Sequence, residues 1–437
     1  MADDQSPTDE HGDVGLTRRA WLAGGTALFG SGLLAGCLGG GNATGTPTGE
    51  TPTRTDTEAD PTATATPTES VTSTDDSSTQ TDQQDGEEDA GRYSVSMAPM
   101  GDVTFEETPE DIFTIMSPYA EMALALGRGE DVNAVYAVEY TNSLLNAFTP
   151  VLDGVSVDWR DCYASWNPST EKLYDLDSDV HLADPAHVVT MGKWERTDVA
   201  DVAENVAPWF GNTLSATHAE PPASYAEDYA YYTLWETFGH VASVLRERER
   251  YETLLAERHA LVSTIREGLP PEDERPSVAM VLPSTADDTM WCYNLNVPGY
   301  HAAHTRPLGA TDAFADLDSG TQIDYESLLD ADPEMLLVLG GVVDVHDMPT
   351  IRETLADDPV AGAVSAVQND RIHPLGTRHQ GPLVNLFQLE MAAKQLYPDR
   401  FGAWPRYDSG PYPDLSADEQ LFDHERVAAT IRGDRER

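Results

Sequence analysis

Two stretches of the chain are built alike: EKLYDLDSDVHLAD, from Glu171 to Asp184, and ESLLDADPEMLLVL, from Glu326 to Leu339. Both run Glu-x-Leu-x-Asp-x-Asp-x-acidic and then turn apolar. In each, a short helical register (Glu171, Leu173, Leu176; Glu326, Leu328, Leu329) meets an acidic turn and then a strand-like run. A repeated helix–turn–strand unit predicts two lobes of similar construction. Each would show one glutamate at the same place.

A length of 437 residues suits such a two-lobed body with accessory segments. The chain carries 76 acidic residues against 26 basic ones, a net charge of −50. Only Lys172, Lys193 and Lys394 are lysines. A surface of this sign repels nucleic acid and anionic membranes, which excludes a nucleic-acid role. With 40% hydrophobic residues and eight tryptophans the chain nonetheless has material for a core. The charge therefore reads as a surface for concentrated salt, where screening acts over about 3 Å at 1 M, as in a salt-loving archaeon.

Residues 1–37 read as an address. TRRAWLAGGTALFGSGLLAGC pairs Arg18 with Arg19, follows them with a glycine-rich apolar run, and ends at Cys37. It resembles a twin-arginine export signal closing on a lipobox, which makes Cys37 the lipidation site. An uncut anchor helix is the alternative, and either places the body outside the cell. Residues 38–91, rich in Thr, Pro and Asp, lack the apolar content to offset ordering entropy and read as a disordered stalk. Asn42 opens a glycosylation sequon in it.

The body divides by pattern. Residues 92–224 alternate short strands and helices, an α/β lobe. Residues 225–268 lose their prolines and take helical spacing, with Gly239 and the polar RERERYE run suggesting two consecutive helices. Residues 269–404 return to α/β grammar. Residues 405–437 form a tail that packs locally, with a short helix near Ala417–Ile431.

VTFEETPEDIFTIMSPYAEMALALGRGEDVNAV and DDPVAGAVSAVQNDRIHPLGTRHQGPLVNLFQLEMAAKQLYPDRF carry a family resemblance. The body resembles the substrate-binding proteins of ABC importers for ferric siderophores, haem and cobalamin. The resemblance implies two Rossmann-like α/β lobes joined by a helical backbone, with the ligand cleft between them. It also implies a monomer with no catalytic residues and no cofactor. The cargo would be a metal chelate, and the partners an ABC permease and its ATPase. Carried over by position, Glu171 and Glu326 would dock the lobes on permease arginines. Ordinary solvated helix glutamates are the alternative.

Ligands of open α/β layers bind beyond strand ends. Loops there carry Tyr119, Trp159, Arg160, Trp194, Trp291, Tyr293, Arg306, Arg378 and His379. The aromatics offer flat faces to a rigid ligand, and arginine forks suit an anionic chelate. Structural alternatives stand beside these roles: Tyr119 starting its helix, Trp291 and Tyr293 packing under their loop, Arg378 in an ion pair. Cys162 and Cys292 fall one in each cleft loop and would tether the lobes if bridged. The rival is a bare-metal binder using His181, His187, His301, His304, His346, His373 or His379, though no closed ligand spacing appears. An enzyme or electron carrier lacks its motif.

Overall fold

The computed structural model describes residues 91–434 except Thr285, Asp344 and Val345. The expected signal, Cys37 and nearly all of the stalk lie outside the described residues. The body opens with an antiparallel ribbon, β1 (Tyr93–Met97) and β2 (Gly101–Phe105), burying Met97 and Phe105.

The first lobe follows as β3 (Ile112–Thr114), α1 (Ser117–Ala125), β4 (Val132–Val135), α2 (Val138–Phe148), β5 (Tyr163–Ala164), α3 (Thr170–Leu176), β6 (Val180–Leu182), α4 (Pro185–Val188) and α5 (Arg196–Asn205). Its strands are parallel in the order β5-β4-β3-β6. The order reverses between β3 and β6, so the loops opening at Ser117 and Asp184 flank the switch point.

The connection is helical: α6 (Leu234–Val244), then α7 (Arg248–Gly268). The break falls at the start of the polar run, where Arg246 turns left-handed at φ 55°, and not at Gly239. Gly239 sits inside α6 because a Cβ there would stand 2.9 Å from the Tyr251 ring of α7. This glycine permits close helix packing.

The second lobe comprises β7 (Ser277–Pro283), β8 (Thr289–Tyr293), β9 (Thr311–Asp312), β10 (Thr321–Asp324), α8 (Tyr325–Ala331), β11 (Met335–Val338), α9 (Met348–Asp357), α10 (Ser365–Gln368), β12 (Ile372–Pro374), α11 (Pro382–Leu396) and α12 (Pro398–Phe401). Its sheet runs β10-β8-β7-β11-β12, parallel from β7 onward, with an antiparallel β8–β10 edge and β9 beside β7.

The repeated sequence becomes one repeated structure. α3 and α8 are both seven residues long, capped by the side chains of Ser169 and Asp324. Each ends on an aspartate in the left-handed region, Asp177 at φ 48° and Asp332 at φ 40°, a conformation that short polar side chains tolerate. Each leads into a buried parallel strand, β6 or β11. Glu171 and Glu326 are both the second residue of their helix, and both are exposed or half-exposed.

The tail, ending in α13 (His424–Arg432), does more than pack locally. Arg352 of α9 grips its Tyr407 carbonyl at 3.0 Å and its Asp408 carboxylate at 2.8 Å. The Tyr412 N–H donates to the Ala147 carbonyl of the first lobe, and its hydroxyl donates to Glu390 of α11 at 2.7 Å. Glu390, fully buried, also takes the Leu421 N–H and meets His424 Nε2 at 2.9 Å. Arg426 pairs with Glu257 of α7, and Arg432 reaches the Asp153 carbonyl of the first lobe. The tail thus ties both lobes and the helical connection together.

Replacing Glu390 by alanine leaves a buried hydroxyl, imidazole and amide without their acceptor. The expected cost is roughly 3–5 kcal/mol, measured by denaturant unfolding in molar salt, with amide exchange accelerating across 404–434. Unchanged tail protection in Glu390→Ala would show that apolar packing alone holds it.

Candidate functional site

A pocket opens between the lobes where the second lobe's parallel strands end. Leu282 closes β7, Leu339 and Gly340 follow β11, and Gly376, Thr377, Arg378 and His379 follow β12. Tyr293 ends β8, and Tyr140 of α2 completes the lining from the first lobe. The space amounts to ≈ 340 Å³ with the open solvent at its mouth, and leaves room of only ≈ 20 Å³ for water-sized groups.

Arg378 dominates its electrostatics. The guanidinium lies 3.7 Å from the Tyr293 ring centroid, a cation–π contact. Among the described residues no carboxylate pairs with it. Burial pulls its pKa below the ordinary guanidinium value, yet a group starting above 12 stays charged. His379 sits beside it, with its ring 4.6 Å from that of His301 at 75°. Burial, then the Arg378 charge, pushes His379 down to about 3 and His304 likewise to about 3. His301 is pushed well below its usual range by burial first, then by His379 and Arg378. These imidazoles are neutral at pH 7, so Arg378 is the positive charge that the pocket offers.

The lobes meet around this pocket. The Tyr140 hydroxyl donates to Thr377 Oγ1 at 3.1 Å, and Ser117 Oγ donates to the His379 carbonyl at 3.3 Å. Burial lifts the Tyr140 phenol to about 12. Gly299 abuts the Ser215 and Ala216 carbonyls, with no room for a Cβ. Deeper, the Glu121 carboxylate of α1 accepts the Gly381 N–H at 2.8 Å and the Val384 N–H at 2.7 Å. It caps α11 from the opposite lobe, against the positive end of the helix dipole.

The structure gathers Tyr293, Arg378 and His379 at the pocket. Trp291 stands on the same face of β8 as Tyr293, half-buried opposite Leu282. The other residues singled out in the sequence go elsewhere. Tyr119 is fully buried, its oxygen accepting the Asn212 N–H at 2.6 Å. Trp159 donates to the Gly129 carbonyl at 2.9 Å, and Trp194 to that of Pro168 at 3.1 Å while packing edge-on against Trp209. Arg306 clasps the Val297 and Gly299 carbonyls of its own loop. Arg160 forks onto Asp158. Cys162 and Cys292 are free and do not bridge. Cys162 directs its sulfur to the Val132 carbonyl inside the first lobe, and Cys292 is buried in the β7–β8–β10 ladder.

Tyr140, Thr377 and Glu121 were missed. Tyr140 lies in the first turn of α2, just past β4, and its partner is more than two hundred residues away.

No family model matches the chain, and no curated protein does. Among solved structures, a periplasmic binding protein from Veillonella parvula superposes with a TM-score of 0.51 at 12% identity, covering 70% of this chain and 92% of that one. Ceue of Helicobacter pylori, solved with Ni(II) bound, gives 0.50 at 13% identity, covering 71% and 90%. The fold is that of a periplasmic binding protein. In this binding-protein fold two α/β lobes share a helical backbone, and the pocket occupies the boundary between them.

Burial holds the Glu121 proton to about 7, against 4.5 ordinarily. The unfolded chain releases that proton near 4.5 while the folded one keeps it. The stability Glu121 contributes is therefore complete below pH 4.5 and is given up as pH rises to about 7, roughly 3 kcal/mol in total. Unfolding free energies of wild type and Glu121→Gln across pH 4.5–7.5 should converge or cross accordingly, the variant lacking this slope. Parallel pH profiles would mean that the buried carboxylate is already ionised at the acid end.

Proposed function

We propose that this chain is the exported solute-binding component of an ABC importer, anchored by lipid on Cys37, and that it carries a ferric siderophore-like metal chelate. One observation carries the reading: a guanidinium without an acid partner among the described residues, in the interlobe pocket of a chain with net charge −50. Acidic side chains are abundant, so an arginine left without one in a cleft is matched to an external anion. Tyr293, held under the guanidinium, and Trp291 on the same strand face add apolar surface for a ligand rim. The protein performs no chemistry in this reading, and its partner ATPase supplies the energy. Glu171 and Glu326, displayed alike on α3 and α8, dock the monomeric carrier on its permease.

A second reading, a bare divalent metal, draws on the contact between His301 and His379 and on the Ni(II) in the Helicobacter relative. Against it, no three His, Cys, Asp or Glu among the described residues stand together as a metal site. Haem and cobalamin remain alternative cargoes of the same architecture.

Tryptophan fluorescence of the protein in molar salt, titrated with ferric hydroxamates, ferric catecholates, haem, cobalamin and bare divalent metals, tests the reading. One anionic chelate should quench saturably. Arg378→Met should weaken it by about 10–100-fold, the worth of one or two hydrogen bonds to a charged group. The fold should persist, because the change removes a desolvated charge. Saturation by a bare metal alone would transfer the function to the histidines.

The paired substitution Glu171→Ala with Glu326→Ala should leave chelate affinity unchanged and abolish uptake in cells. Uptake at the wild-type rate would return both glutamates to ordinary solvated surface.

A further inference from the structure

The loop that carries Arg378 and His379 rests on a chain of buried amides whose orientations are fixed by groups that can only donate. Gly376 and Thr377 both send their N–H to Gln388 Oε1 at 2.9 Å. That oxygen is thereby an acceptor, and Gln388 Nε2 donates to the Thr377 carbonyl at 2.8 Å and to Gln380 Oε1 at 3.3 Å. From another side, the Trp235 indole N–H of α6 donates to Asn385 Oδ1 at 3.0 Å, which turns Asn385 Nδ2 toward the same Gln380 Oε1 at 2.9 Å. Two independent routes therefore make that end of Gln380 the acceptor and the other end the donor. Gln380 Nε2 spends its two hydrogens on the Tyr300 carbonyl at 3.0 Å and on His304 Nδ1 at 2.6 Å.

His304 Nδ1 must then accept, and a neutral imidazole accepting at Nδ1 carries its proton on Nε2. His304 Nε2 is buried and has no hydrogen-bond partner among the described residues. A native fold keeps a buried unpaired donor mainly where a ligand or water takes the bond. The surroundings of His304 agree: burial first, then Arg378 and Arg306, oppose a second proton on it, and no carboxylate is among the influences on it.

We propose that Gln380 is a positioning residue that locks His304 in the Nε2–H tautomer, a buried donor near Arg378 with no acceptor among the described residues. The same lock removes His304 from metal binding, because Nδ1 gives its lone pair to Gln380 and Nε2 holds the proton. This deepens the proposed function and rests on it for the identity of the cargo. A His304 held in this tautomer cannot take the metal from its chelate, so the cargo would keep its metal coordinated. Trp235 extends the lock to the helical connection.

Imidazole nitrogen–proton correlation spectra of the full chain, labelled with 15N-histidine and free of cargo, read the tautomer directly. His304, assigned by the signal lost in His304→Phe, should show the Nε2–H pattern from pH 7.5 down to 5. Gln380→Leu should give mixed tautomers. Gln380→Glu should draw the proton to Nδ1 or produce an imidazolium. Stoichiometric Ni(II) should leave the wild-type His304 signal unbroadened. The wild-type spectrum is decisive even where a variant fails to fold: an Nδ1–H pattern, mixed tautomers or broadening by Ni(II) would overturn the proposal. So would Gln380 variants that fold and keep the wild-type signature. Because no chelate is present, the outcome is independent of whether the fluorescence titration finds a cargo.

Discussion

Every residue of α11 is buried, and five of its fifteen are polar. That constraint organises the molecule, since a buried polar group without a partner destabilises the fold. Each one bonds a different part of the chain. Asn385 takes the indole of the helical connection, Gln388 the pocket loop, Glu390 the tail, Lys394 the Phe401 carbonyl, and Gln395 the Pro374 carbonyl. The helix N-terminus takes Glu121 from the first lobe. A helix that could have been an apolar core rod is instead a junction. Its polar residues set where two lobes, a connector and a tail must come.

This explains what the sequence could convey. The repeat around Glu171 and Glu326 was legible because a capped helix, an aspartate turn and a buried strand are all specified within fifteen residues. The strands, the closing helix and the polar break between α6 and α7 are local in the same sense. Arg378 was legible for a different reason: positive charge is scarce here, so an arginine placed in a strand-end loop carries information. Trp159 and Trp194 were not separable from Tyr293 in the sequence. An aromatic residue that fills a lobe's interior has the same neighbours in the chain as one that lines a cleft, and only the indole's distant acceptor tells them apart. Gln380, Gln388 and Glu121 carry no local signal. Their roles come from partners elsewhere in the fold, and in a helix read for apolar periodicity they look like surface.

The pocket's small volume bears on how such a molecule would work. With room of only ≈ 20 Å³ for water-sized groups, a chelate would require the lobes to part. Two bonds that would then break at the pocket, Tyr140 to Thr377 and Ser117 to His379, are single neutral hydrogen bonds, each contributing about 0.5–1.5 kcal/mol. The remaining ties between lobes are of another kind. Glu121 caps a helix from a fully buried position, and the tail is anchored at Glu390 while it bonds Ala147 and Asp153 of the first lobe. Losing either leaves buried charged or polar groups stranded, a larger penalty than the pocket contacts incur. Parting is therefore easiest at the pocket rim and hardest at α11, which makes α11 the pivot. The amide chain that fixes His304 starts at that pivot and ends at the rim. Gln380 bonds Tyr300, His304, Asn385 and Gln388, all in the second lobe, so the pocket loop stays with α11 as one piece while Tyr140 and Ser117 part from it.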